Sequence, residues 1–315
     1  MILDALGRVL PILLLFGLGA LLRRRAWLAA STVADLRRLV LTVTLPSALF
    51  LTFLHVDLEP RYLPIVAAVF VVSVVILFAG PILLRLVGVH SEYGGPLMTG
   101  FEDGMLGYAI YGGVFGQAAL YHLGIVDLGQ VFFVFFVLAT VLVRRSTGVR
   151  PGLVATARGV IRTPVIIAIL GGVLGRLIGL GDILDGSPIL ASIPATLGLL
   201  AACTTPIIGI VIGYSTTLRL GALRRPTTTI AVRLVVWLVF AVVFDRLVIE
   251  GALGLDRLFG AALFTAVVMP PPFVIPLYMG ARATDEDRAY VTDALSVATI
   301  ATLVLFPVVA AVFAT

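Results

Sequence analysis

Apolar residues run through this chain in long unbroken stretches, and polar residues gather in the short gaps between them. Ten stretches can be read, near residues 3–22, 36–54, 62–87, 95–121, 126–143, 163–180, 193–218, 230–249, 258–280 and 289–313. An α-helix needs about 20 apolar residues to cross a bilayer. The pattern therefore predicts an all-α membrane protein of ten transmembrane helices with short connections. The longest connection, about Arg144–Arg162, carries Gly148, Pro151 and Gly152, as a linker does. It divides the chain into two five-span halves, residues 1–150 and 151–315.

The halves resemble each other. Pro11, Gly19 and Arg23 in span one match Pro164, Gly172 and Arg176 in span six at a constant offset. Thr44-Leu45-Pro46 in span two resembles Thr204-Thr205-Pro206 in span seven, and Tyr111 and Gly113 in span four match Tyr278 and Gly280 in span nine. An odd number of spans per copy turns the second copy upside down. Inverted repeats with broken helices are a mark of secondary transporters.

Composition narrows the class. Hydrophobic residues make up 60% of the chain and charged residues 12%, against roughly 45–50% and about 25% in soluble domains. That excludes a soluble enzyme and a nucleic-acid-binding domain. All 22 basic residues are arginine, so lysine chemistry is excluded, whether a phosphate-loop lysine, a Schiff base or a serine–lysine pair. Arg8, Arg61, Arg176, Arg246 and Arg257 fall on the side that holds both termini. The other seventeen fall on the opposite side, including Arg23–Arg25, Arg37, Arg38, Arg219 and Arg233. This asymmetry puts the linker in the cytoplasm and both termini outside, in a bacterial-type inner (plasma) membrane. Arg23–Arg25 follow the first apolar run rather than precede it, unlike a secretory signal. Cys203 is the only cysteine and reads as a small packing residue.

Spans four and nine carry the chemistry. Span four contains Gly100-Phe101-Glu102-Asp103-Gly104-Met105-Leu106-Gly107, and span nine contains Met269-Pro270-Pro271-Pro272-Phe273 followed by Pro276. Consecutive prolines cannot continue a helix, because each lacks an N–H and clashes with the preceding turn. The glycine-rich stretch can unwind too, and Gly104 falls at Pro271 when the repeats are matched. Two helices broken at one depth make a crossover. Half-helix N-termini there suit an anion, while unwound carbonyls suit a cation. Glu102 and Asp103 are costly inside a bilayer and functional by default. Burial and like charge disfavour two ionised carboxylates side by side, so the pair is a candidate proton carrier. Asp103, before Gly104, also reads as a helix cap.

These residues resemble the auxin efflux carrier family, which includes bacterial carriers for malonate and malate. The resemblance covers essentially the whole chain. It rests on Val9–Arg25, on Leu36–Phe53 with Leu45-Pro46, on Arg162-Thr163-Pro164 and on Met269-Pro270. It implies two inverted five-helix repeats, crossed and broken helices four and nine, and transport of small organic carboxylates. The family usually has Asn near position 102 and Pro near 109, where this chain has Glu102 and Ala109.

Further candidates surround the breaks. Thr42, Thr44, Ser47, Thr204 and Thr205 flank the prolines of spans two and seven, and Gln117 is placed in the second half of span four. The expected substrate-binding set is Glu102, Asp103, Gly104, Gly107, Met269, Pro270, Pro271, Pro272, Thr44, Ser47, Thr204 and Thr205, with Glu102 and Asp103 coupling protons. Asp127 and Asp293 read as first-turn acids of spans five and ten, and Gly171, Gly175 and Gly179 as a packing stripe. His55, His90 and His122 show no metal-ligand spacing, and neither a cofactor nor an enzymatic motif is expected. The expected function is a secondary active transporter of small organic acids working by alternating access. A cation/proton exchanger, a sodium-coupled symporter and a non-transporting membrane sensor are the alternatives. The expected partners are the organic acid, protons or sodium, the lipid bilayer and a second copy in a homodimer, with no nucleic acid.

Overall fold

The computed structural model describes residues 2–55, 59–147, 152, 158, 161–216, 223–280 and 282–313, and these residues contain helices and no strand. Gly148, Arg150, Pro151 and Arg219, and with them the boundary between the proposed halves, lie outside the described residues. The helices are α1 (Ile2–Arg24), α2 (Ala30–Leu54), α3 (Pro60–Leu86), α4 (Gly94–Met98), α5 (Tyr108–Phe115) and α6 (Gln117–Thr147). They continue as α7 (Pro164–Leu177), α8 (Leu180–Asp185), α9 (Ser192–Ser215), α10 (Arg224–Phe244), α11 (Arg257–Val268) and α12 (Asp285–Phe313). Among the described residues, α2, α3, α6, α9 and α12 are long and apolar enough to cross a membrane. Large apolar side chains stand exposed along them, such as Val71, Val75, Phe78 and Ile82 on one face of α3. Such a continuous apolar face suits lipid rather than water.

Several expected boundaries shift for local reasons. Gly116 takes φ +91 and ends α5 at Phe115, so Gln117 opens α6 and is exposed rather than inside span four. Asp127 therefore lies well within α6, and Asp293 lies well within α12, which begins at Asp285; neither is in a first turn, and both are buried. Proline coincides with irregular turns in α2 and α9. Pro46 lacks an N–H and crowds the carbonyl of Thr42, and the chain widens into a π turn over Val40–Thr44. The matching Pro206 follows an interruption of α9 at Cys203. Cys203 is exposed there, not packed inside.

Small residues set the tightest helix contacts. A β-carbon added at Gly19 of α1 would stand 2.2 Å from the Ile210 carbonyl oxygen of α9, and one at Gly213 of α9 would stand 2.1 Å from that of Phe16. One at Gly172 of α7 would stand 2.7 Å from the Phe50 carbonyl oxygen of α2. Only glycine allows backbones this close. Gly213→Ala is therefore expected to lower thermal stability by about 1–3 kcal/mol, as overpacking does. Gly198, also on α9, faces open space. Gly198→Ala should be neutral or stabilising in the same thermal scan, since alanine is the better helix former.

Candidate functional site

Two interrupted helical segments meet in the buried interior of the molecule. α4 stops at Met98, residues 99–102 are not helical, and the chain resumes as a π turn, Asp103–Gly107, leading into α5. Gly100 takes φ +65, and a β-carbon on it would lie 2.7 Å from Cγ of Pro272. The second break follows α11 at Met269. Pro270, Pro271 and Pro272 supply no N–H, so Phe273 carries the first free amide beyond them. The chain then makes only a 3₁₀ turn, Ile275–Tyr278. The second half-helix expected in span nine, with its dipole end, is therefore absent.

The two breaks bond to each other. The Glu102 N–H donates to the Pro270 carbonyl at 2.9 Å, and the Phe273 N–H donates to Glu102 Oε2 at 2.6 Å. Side chains from other helices take the carbonyls at the breaks. Trp237 Nε1 donates to Met98 O at 2.8 Å, Thr302 Oγ1 to Val268 O at 2.5 Å, and Gln130 Nε2 to Phe101 O. Arg233 reaches both arms, with Nη2 donating to Gly100 O at 2.6 Å and Nη1 to Val267 O at 3.3 Å. Its guanidinium carbon lies 5.6 Å from the Phe101 ring centroid. Arg233 is 0% exposed within α10 and is not the cytoplasmic loop residue that the charge count assumed.

A cavity of about 360 Å³ opens beside the crossing, within the range of ligand pockets. Its polar lining comes from Arg37, Glu102, Asp127, Gln130 and Thr163, set among apolar side chains such as Phe101 and Phe273. Gly104 and Pro272 also line it. Of the expected binding set, only Glu102, Gly104 and Pro272 share this cavity. Met269 and Pro271 are buried outside it, and Pro270 contributes its carbonyl to the crossing.

The remaining expected residues are occupied elsewhere. Ser47 donates to Val43 O and Thr42 to Arg38 O, both at 2.8 Å within their own helix. Thr205 donates to Ala109 O at 2.8 Å, and Thr204 donates to Thr44 Oγ1 at 3.0 Å in a buried pair. Asp103 caps nothing. Its side chain is wholly buried, and neither carboxylate oxygen has a hydrogen-bond partner among the described residues. Gly107 packs on it so closely that a β-carbon would lie 2.6 Å from Oδ1. Asp127 Oδ2 accepts from the Tyr108 hydroxyl at 2.8 Å.

Arg37, Asp127 and Gln130 belong to the cavity but not to the expected binding set. A carboxylate within an apolar span was the available signal for Asp127. Arg37 gave none, because it reads as one of many arginines that orient the chain. No three His, Cys, Asp or Glu side chains converge on a metal site among the described residues. No protein-family model matches the chain, and no curated protein matches it.

Proposed function

We propose that this protein is a secondary transporter of small organic acids, built from ten spans in two inverted five-span repeats. Contacts between matched positions support the inversion. α1 packs on α9 through Gly19, and α7 packs on α2 through Gly172. Gly19 and Gly172 are matched residues, and α2 and α9 hold matched Thr-x-Pro segments. Thr44 bonds Thr204, its own match, at 3.0 Å. In such an arrangement a residue that touches its counterpart would lie on the axis relating the two copies. The bond from Glu102 to Pro270 joins near-matches and supports a crossing close to that axis.

One observation carries the transport reading. Two non-helical breaks are bonded to each other beside a cavity that holds Arg37, Glu102 and Asp127. Irregular backbone at membrane depth is tolerated where it lines such a cavity. Arg37 supplies a cation for a substrate carboxylate, and the apolar walls suit a short carbon skeleton. Glu102 and Asp127 repel an unaccompanied anion, so charge has to be balanced during transport. Glu102, held by the Phe273 amide at the cavity wall, is the proposed proton carrier. The resemblance to the auxin efflux carrier family supports the same reading. The arginine asymmetry supports a plasma-membrane location with both termini extracytoplasmic, and it survives the reassignment of Arg233.

Uptake of labelled organic acids into proteoliposomes under an imposed pH gradient tests the proposal. The wild type is expected to accumulate substrate when protons flow with it. Glu102→Gln is expected to lose the pH dependence while retaining counterflow. Unchanged pH dependence in that variant defeats the carrier role. Binding without accumulation or counterflow defeats transport and favours a sensor.

A further inference from the structure

At the wall of the cavity and behind it lies a group of polar atoms whose bonding capacity is unmet. Asp103 sits between Glu102 and Gly104, which both line the cavity, yet its own side chain is 0% exposed. Both of its carboxylate oxygens lack a donor among the described residues. Gln130 is 5% exposed and repeats the pattern. Its amide nitrogen must face the Phe101 carbonyl, because two acceptors cannot bond each other. Its Oε1 is therefore the free end, and it is buried without a donor. Asp127 lies three residues earlier on the same face of α6 and keeps one hydroxyl partner, Tyr108.

Charge and chemistry then define what is missing. The charged groups facing Asp103 are Asp127 from α6, Glu102 from its own segment and Arg233 from α10. Arg233 spends its terminal nitrogens on the Gly100 and Val267 carbonyls. Asp103, Asp127 and Glu102 thus set three carboxylates against one guanidinium, so the buried group holds more acid than base. Buried charges are paired or bind metal, because an isolated ion in an apolar interior is very costly. The unsatisfied atoms at Asp103 and Gln130 are all oxygens, which select a hard cation. The described residues bring no three metal-ligating acids or histidines together, which disfavours a divalent ion and favours a monovalent one.

We propose that Asp103, Asp127 and the side-chain carbonyl of Gln130 form a sodium site directly behind the crossing. Its coupling role rests on the transport reading above, whereas its occupancy does not. Sodium holds the π turn Asp103–Gly107 against α6 and so fixes one wall of the cavity.

Tryptophan fluorescence gives a test independent of transport. The chain has two tryptophans: Trp27, which is exposed, and Trp237, which is buried and bonded to Met98 at the break. In the purified full chain carrying Trp27→Phe, sodium chloride is titrated against choline chloride at fixed pH and ionic strength. The expected result is a saturable change in Trp237 emission with sodium and none with choline. Asp103→Asn and, as a milder variant, Gln130→Met are each expected to raise half-saturating sodium about tenfold or more. The proposal fails if sodium and choline act alike, if only pH moves the signal, or if both variants keep the wild-type sodium affinity. Sodium binding without uptake of any organic acid leaves the site standing and removes the transport reading. Proton-driven uptake with no sodium response does the reverse.

Discussion

Arg233→Met is expected to give little or no folded protein. The guanidinium donates to one carbonyl on each broken arm, Gly100 O and Val267 O, and lies over the Phe101 ring. A buried acceptor left without its donor costs about 1–3 kcal/mol. Removing one partner from a buried charged set costs about 3–5 kcal/mol, and Asp103 would lose its nearby cation. Whole-protein stability is only about 5–15 kcal/mol. Monodispersity in detergent and the thermal midpoint of the purified protein measure the effect. Arg233→Lys keeps the charge but not the planar fork, so it should recover part of the midpoint and not all of it. Wild-type stability in the methionine variant would show that the arms hold together without this residue.

Arg37→Gln is expected to raise the half-saturating concentration of a carboxylate substrate about tenfold or more while leaving the fold intact. Arg37 is only half-buried, so its loss opens no cavity in the packed interior. Its Nη2 donates to Ser215 Oγ at 3.2 Å, and its buried Nε has no partner among the described residues. A hydrogen bond to a charged group is worth about 1.5–3 kcal/mol, and about 1.4 kcal/mol is tenfold in affinity. Uptake kinetics and ligand-induced thermal shift report the change. Ser215→Ala, which removes only the anchor of the guanidinium, should give a smaller shift in the same direction. An unchanged half-saturation in Arg37→Gln would mean that the substrate's carboxylate binds elsewhere.

The positions of the long helices were legible because apolar run length is a property of the sequence alone. The stretch 62–87 corresponds to Pro60–Leu86, and 289–313 to Asp285–Phe313. The two breaks were legible because glycine and proline act on their own backbone. What surrounds the breaks was not. Arg233 fell within the predicted span 230–249 yet was counted with the loop arginines, since bulk charge asymmetry does not separate a buried guanidinium from a solvated one. The start of α6 was misplaced because a single positive φ at Gly116 ended the preceding helix early. Ser47 and Thr42 had two available acceptors, cavity or own backbone, and only coordinates distinguish them. Asp127 and Gln130 reach the cavity because α6 crosses behind it, a relation between distant segments that no local pattern records.

The buried bond between Thr44 and Thr204 has a mechanical consequence. In the proposed inverted-repeat arrangement, a spot where each copy grips its own counterpart is a fulcrum. Distances would grow outward from it in the proposed transport cycle while the hydroxyl pair itself stayed nearly still. A short chemical tether installed between positions 44 and 204 should therefore leave the carrier cycling, whereas one placed far from this pivot should freeze it.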